Sequence, residues 1–301
     1  MPIVGREVPI SNQDKVLFAQ AGLTKGDLAD HMHHVAEVML PHLRDRPLTL
    51  RRYPDGIDAD GFMQKQASEH FPKWLDTADV PLREGGTQRA VLATSEAALT
   101  YLADQAAIEF HIWPSTTAAL DCPDLLVIDI DPPEGSAAIG EVRSVARRLR
   151  DLFGELGLLA YLQATGGRGF HVVAPLDQSA DADQVRRLAA DIADTLVAAD
   201  PHRLTTEFRK ERRGERIFLD VNRNGYGQTF IAPYSVRARP GAACAVPIDW
   251  SELAGAWSTG WDMRRLHRRL AQKTDPWQRL HDKRLACSPG EAARRLAELR
   301  G

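Results

Sequence analysis

The 301-residue chain has little cysteine: Cys122, Cys244 and Cys287 are an odd set, far apart, and no CxxC pair occurs. Zinc knuckles and dithiol redox sites are thereby excluded, and free thiols in a reducing compartment are expected. No apolar run approaches the ~18 residues of a membrane span, and the opening MPIVGREVPIS lacks a signal-peptide core. Both absences point to a soluble, cytoplasmic chain without a membrane partner. Repeats, low-complexity tracts and long linkers are absent too. So is any excess of positive charge: 38 Lys and Arg face 41 Asp and Glu, a net charge of −3. That excludes a chain that coats nucleic acid through bulk charge. A local groove for phosphates stays open, because the cations cluster in FRKERRGER at 208–216 and MRRLHRRL at 263–270.

What remains is an ordinary globular composition, 44% hydrophobic and 26% charged, long enough for one domain or two intimate ones. Thr24 with Asp27 starts a helix whose apolar face is Leu28, Met32, Val35 and Met39, ending at Pro41. LTLRRY and IEFHIW read as strands and EAALTYLADQAA as a helix. Helices at 139–156 and about 182–199 alternate with the strands LLAYLQA, FHVVAPL and RIFLDV and the segment GQTFIAPYS, and the C-terminal third reads as mostly helical. The fold class is α/β (α+β), with paired strands around a cleft.

In DLLVIDIDPPEG, residues 124–135, the apolar run Leu125 to Ile128 predicts a buried strand that Pro132 and Pro133 cannot continue. Asp129 and Asp131 then lie on one face, roughly 7 Å apart at the backbone. Two like charges so placed repel unless a cation lies between them, and a divalent ion is the usual solution. Solvated acids at a strand end are the simpler alternative. In ATGGRGFHVV three glycines allow a tight turn whose amides can cradle phosphate, with Arg168 at its tip; a plain Gly-rich hairpin accounts for it as well. A P-loop is excluded, since no GK[ST] follows.

RIFLDVNRN ends a further strand in Asp220, followed by Arg223. This is either a turn acid or the third carboxylate that two-metal phosphoryl transfer requires. In IEFHIW, Ile108, Phe110 and Ile112 take one face and Glu109 and His111 the other, so His111 is an inert strand histidine or a site residue. HMHHV carries His31 and His34 off the apolar stripe of their helix and without a cysteine partner, which reads as a solvated face rather than a zinc site.

Together these motifs resemble a family, the polymerase domain of bacterial ligase D and its stand-alone relatives in the archaeo-eukaryotic primase superfamily. LLVIDIDPP resembles its first metal motif and TGGRGFHVVAPL its glycine motif. RIFLDVNRNGYGQTFIAPYSVRARPGA resembles its third-aspartate segment, and SNQDKVLF with LTKGDLADHM its amino-terminal signature. The similarity runs from about residue 5 to 255. It implies a primase-like fold of two packed sheets around a central cleft, in a single domain over 1–301: an N-terminal part to about 105, a catalytic core over about 106–255, and a helical C-terminal part.

By this resemblance Asp129, Asp131 and Asp220 hold two divalent ions, Mn2+ or Mg2+. Arg51, His111, Thr165, Arg168 and Arg237 match positions that contact the incoming nucleoside triphosphate, and His171 matches the histidine of the second superfamily motif. Arg168 and Arg51 stand where lysine is frequent; arginine clamps phosphate with two hydrogen bonds instead of one charge. Asn12, Lys15 and Lys25 match the pocket for a 5′-phosphate across a DNA gap or break; read without the family, they are a turn amide and two solvated lysines. Phe62 matches a ring that stacks on template, and Met63 replaces a second aromatic common there.

The implied activity is template-directed addition of nucleotides, ribonucleotides accepted, at short gaps or broken ends with a 5′-phosphate. The 3′-hydroxyl of a primer attacks the α-phosphate of the nucleotide. The chain is then a nucleoid-associated bacterial protein, free-standing or excised from a larger ligase. No KxDG motif is present, so a DNA ligase is expected to seal the product and Ku protein to accompany it in end joining. Two other classes stay open: a catalytically silent DNA-end binding module, against which three intact aspartates speak, and a metal-dependent phosphoesterase, against which Arg168 and the glycine turn speak.

Overall fold

The computed structural model describes residues 6–133, 135 and 139–301. Residues 1–5 of the amino-terminal stretch considered above for a signal peptide lie outside the described residues. In chain order the elements are β1 (Val16–Phe18), β2 (Leu23–Thr24), α1 (Lys25–Leu43), β3 (Leu48–Arg52), β4 (Phe62–Gln64), β5 (Thr77–Pro81) and β6 (Thr87–Val91). Next come α2 (Glu96–Asp104), β7 (Ala107–Ile112), β8 (Leu125–Asp131), α3 (Ile139–Glu155), β9 (Tyr161–Ala164), β10 (Phe170–Pro175) and α4 (Ala182–Ala199). The last are β11 (Leu204–Thr205), β12 (Ile217–Asp220), β13 (Phe230–Ile231), β14 (Val246–Ile248), α5 (Met263–Leu270) and α6 (Pro289–Arg300).

The chain divides into two compact units. Unit 1 comprises Met1–Ala118, Thr229–Val246 and Gly260–Thr274. Its helix α1 starts where Thr24 accepts from the Asp27 N–H and Asp27 accepts from the Thr24 N–H, a reciprocal cap. Leu28, Met32, Val35 and Met39 are fully buried along it, each contributing about 1.5–3 kcal/mol. The helix runs past Pro41 to Leu43, beyond the expected stop. In a last turn the proline's missing N–H forfeits a single bond, so the helix outlives it. The sheet of this unit runs β13-β7-β3-β6-β5, with β4 paired to β3. Both faces of β7 are covered, since Glu109 is buried alongside Ile108 and Phe110.

Unit 2 comprises Ala119–Gln228, Pro247–Thr259 and Asp275–Gly301. Its sheet runs β11-β12-β8-β10-β9-β14, antiparallel at β12–β8, β8–β10 and β10–β9 and parallel at β11–β12. Leu125, Leu126, Val127 and Ile128 of β8 and every residue of β10 are buried, the pattern of central strands covered on both faces. Val142, Val145, Ala146, Leu149 and Phe153 form the buried stripe of α3. Val185, Leu188, Ile192 and Leu196 form that of α4.

Two expectations are corrected. The C-terminal third is not mostly helical: α5 has 8 residues and α6 has 12, with β13, β14 and turns around them. TDPW and SPG interrupt that periodicity. His31 does not face solvent; it is fully buried, its ring stacked on His267 of α5 at 5.2 Å. The covering residue comes from a segment far along the chain, which the periodicity of α1 cannot reveal. His34 is exposed, as read. Cys122, Cys244 and Cys287 are all free thiols. Among the described residues no helix is long and apolar enough to cross a membrane.

Candidate active site

The register of the unit 2 sheet assembles the acidic face. Asp129 of β8 has Asp220 of β12 as its partner on one side and His171 of β10 on the other. Directly opposed residues of antiparallel strands share a face, and Asp131, two residues on, joins them. His171 is buried, with Nε2 3.5 Å from Asp129 Oδ1.

Arginines hold these carboxylates. Arg168 donates to Asp131 at 3.0 and 3.3 Å, and Arg213 Nη1 lies 3.8 Å from Asp131 Oδ2. Arg213 is itself seated over the Phe218 ring at 3.5 Å. Arg223 Nη2 spans two acids, 3.2 Å from Asp220 Oδ2 and 3.7 Å from Asp129 Oδ2. Asp220 also accepts from the Asn222 N–H and side-chain amide at 2.9 and 3.0 Å. In the sequence, only a place in a basic block marks Arg213, and only a place three residues after Asp220 marks Arg223.

Among the described residues no three His, Cys, Asp or Glu side chains stand clustered as a ready metal site. The donor chemistry nevertheless fits magnesium or manganese: Asp129, Asp131 and Asp220 are hard oxygen donors on one face. An ion on these carboxylates would take the place of the contacts that Arg168, Arg213 and Arg223 make there.

The glycine turn is built by close approach. A Cβ on Gly169 would stand 1.6 Å from the Ile130 carbonyl oxygen, so only glycine lets β10 enter beside β8. Gly166 has φ +65°, open to glycine at little cost. The buried Thr165 hydroxyl donates to the Gly169 carbonyl at 3.0 Å and accepts from the Gly167 N–H at 3.1 Å. Ser258 clasps the turn from outside, accepting at its carbonyl from the Gly166 N–H and donating from Oγ to the Gly167 carbonyl. This leaves Arg168 projecting at the tip toward Asp131.

Unit 1 carries a second charged cluster centred on a residue that sequence reasoning had placed on a strand face without a role. Glu109 is buried and accepts from His111 Nε2 at 3.0 Å, Arg237 Nε at 3.1 Å and the Ala238 N–H at 3.0 Å. Arg51 Nη1 lies 3.9 Å away and stacks over Tyr53 at 5.2 Å. Burial alone would raise the Glu109 carboxyl; the His111 hydrogen bond, Arg237 and the Ala238 amide outweigh it and hold it at about 2. The carboxylate thus gathers His111, Arg237 and Arg51, three of the residues singled out from sequence.

Asn12, Lys15 and Lys25 are also brought together. The Asn12 carbonyl accepts from the Lys15 N–H, and the Lys15 carbonyl from the Lys25 N–H, both at 2.9 Å. Asn12 sits at φ +45°. Lys15 is half-exposed, 2.8 Å from Asp55. Lys25 is buried and spends its ammonium donors on Ser11 Oγ and on the side chain and carbonyl of Asp104 at 2.8, 3.0 and 3.1 Å. Phe62 and Met63 are 46% and 48% exposed on β4, with Arg52 over the Phe62 ring at 5.3 Å.

These are parts of a primase-polymerase fold, a mixed α/β protein with its carboxylates on strand ends beside a glycine turn. The chain belongs to the family described as "LigD, primase-polymerase domain", whose sequence model matches residues 24–277. It is 36% identical over 256 residues to the "Multifunctional non-homologous end joining protein LigD" of Mycobacterium bovis, covering 82% of this chain and 34% of that protein. To the protein of the same name in Pseudomonas aeruginosa it is 32% identical over 273 residues, 90% of this chain and 32% of the relative. The chain therefore spans about a third of the length of the curated relatives it matches. Its fold matches the "Polymerase Domain from Mycobacterium tuberculosis Ligase D in complex with DNA" with a TM-score of 0.85 and 32% identity, over 94% of this chain and all of that one.

Proposed function

We propose that this chain is a template-directed nucleotidyltransferase that extends primers at short gaps or broken ends bearing a 5′-phosphate, favouring ribonucleotides, in break repair by end joining or in gap filling. The observation that carries the proposal is the cross-strand pairing of Asp129 with Asp220, Asp131 on the same face and Arg168 on the adjoining turn. Three acids with no polyanion to handle would not need an arginine-tipped glycine turn beside them. The match to a polymerase domain bound to DNA supports the same reading.

Asp129, Asp131 and Asp220 would hold two magnesium or manganese ions, which lower the pKa of an attacking 3′-hydroxyl and neutralise a leaving pyrophosphate. The chain's own contribution is charge and placement. Arg168 is assigned to the triphosphate, seated on a turn whose shape Thr165 and Gly169 maintain. Arg51, His111 and Arg237 are assigned to the nucleotide as well, and Glu109 fixes their directions so that no reorganisation is needed at the moment of reaction. His171 orients Asp129. Lys15 and Asn12, with Lys25 bracing their loop, are assigned to the 5′-phosphate, and Phe62 with Met63 to the template base. A DNA ligase and Ku are the proposed partners in end joining.

The test is extension on a one-nucleotide gap bearing a 5′-phosphate, with manganese and each ribo- and deoxyribonucleotide in turn. Template-matched addition that disappears in Asp129→Ala establishes the activity and ranks the sugars. Tight gap binding with no addition by the unaltered chain overturns it in favour of a silent end-binding module.

A further inference from the structure

The basic segment MRRLHRRL has no part in the site above. In the structure it is α5, whose Met263 and Leu266 are buried while Arg264, Arg265 and Arg268 are exposed. Arg269 lies over the Trp261 ring at 5.2 Å. Trp261, Arg265, Arg268, Arg269 and Lys273 line an open groove of about 290 Å³. Residues 263–274 contain no acid. The adjacent Asp262 caps the helix by accepting from the Arg265 N–H at 2.8 Å, with its other oxygen 3.5 Å from the Arg265 guanidinium. Among the described residues Arg264 and Arg268 have no anionic partner.

Arranging cations this way works against the helix. Arg264 with Arg268 is an i,i+4 like-charge pair, an arrangement that destabilises a helix. A polyanion reverses the sign of that term. The face offers little to a protein partner, whose interface would want an apolar centre; here the apolar residues Met263 and Leu266 turn inward. Successive i,i+4 arginines advance about 6 Å along the helix. Duplex DNA carries a charge for about every 1.7 Å of its axis, so these side chains meet phosphates without demanding a register.

We propose that α5 and the turn before it are a docking surface for the sugar-phosphate backbone of duplex DNA, independent of sequence and separate from the residues assigned to the gap. The proposal rests on the reading that DNA is this chain's substrate. Its role is to hold the duplex by charge, with Trp261 fixing Arg269 at the groove wall.

The experiment measures binding of an ungapped duplex by fluorescence anisotropy, in chelator and without nucleotide, across a salt series. Arg264→Ala/Arg268→Ala should weaken binding about tenfold at low salt and flatten the log K against log salt slope by about 1.8, or 0.9 per phosphate contact. Arg264→Lys/Arg268→Lys should restore the slope, while Arg284→Ala, which removes an arginine paired with Asp282, should leave it unchanged. An unaltered slope in the alanine pair overturns the proposal, as does failure of the lysine pair to restore it. Loss of polyglutamate binding with unaltered DNA binding would reassign the surface to an acidic protein. Because no turnover is read, a chain that failed the extension test could still pass this one, and an active polymerase could fail it.

Discussion

Arg223 reaches both Asp220 and Asp129, at 3.2 and 3.7 Å, from a position three residues beyond the strand that ends in Asp220. The guanidinium neutralises the same carboxylates that a divalent ion would need. An ion on these carboxylates would therefore compete with the Arg223 contacts.

Arg223→Gln should accordingly raise affinity for manganese. Part-exposed ion pairs are worth about 1 kcal/mol or less, so half-saturation should come at a concentration lower by up to about fivefold. Titration of Mn2+ followed by electron paramagnetic resonance, without nucleotide, checks this. Unchanged or weaker binding would show that Arg223 supports the carboxylate geometry rather than opposing the ion.

Gly169 offers a stability prediction. Alanine there would drive its Cβ into the Ile130 backbone, separating β10 from β8 at the point where Asp129 and His171 pair. Gly169→Ala should cost several kcal/mol or prevent folding of unit 2. Gly214→Ala, at φ +58° with open space around the added methyl, should cost only about 1 kcal/mol. Denaturant melts of the two variants make the comparison, and equal losses would remove the close-approach argument.

Much of this arrangement was legible in the chain because it is local. Alternation put Asp129 and Asp131 on one face, two prolines ended their strand, and the bounds 182–199 of α4 follow from its periodicity. What escaped was set by distant partners. Glu109 visibly shares a strand face with His111, but its role depends on Arg237, 128 residues away. His31 looked like a solvated helix residue because its cover, His267, lies 236 residues downstream. Arg213 and Arg223 were visible as charge, whereas which acid each would meet depends on strand order.

Lys15 and Lys25 should behave differently although both are assigned to one phosphate pocket. Lys25 is buried, in a pair with Asp104, whose carboxyl is held below its usual range because hydrogen bonds from Lys25 and Ser11 outweigh burial. Removing one partner of such a pair costs about 3 kcal/mol, so Lys25→Ala should lower the melting temperature as well as gap selectivity. Lys15→Ala should leave the melting temperature near that of the parent and reduce the preference for gaps with a 5′-phosphate over gaps without one. If Lys15→Ala keeps the full preference, the pocket assignment is wrong.

The histidine stack sets a pH dependence in unit 1. His31 Nδ1 lies 3.0 Å from His267 Nε2, and His267 also stacks on His34 at 4.3 Å. The Tyr234 carbonyl and the Cys244 thiol approach His31 Nε2 at 3.5 and 3.9 Å. Burial foremost, then the charge of His267, lowers His31 from 6.5 to about 3, and burial lowers His267 as well despite Asp30. A folded-state pKa below the unfolded one means that the unfolded chain binds more protons between the two values. Stability is then full above about pH 6.5 and declines as pH falls toward 3. His31→Gln keeps a neutral polar side chain at every pH and should remove the largest part of that decline, leaving the smaller share from His267. Chemical denaturation at pH 7.5, 6 and 5 checks it: the parent should lose stability steadily across the series and the variant less, and parallel losses would place the acid sensitivity elsewhere.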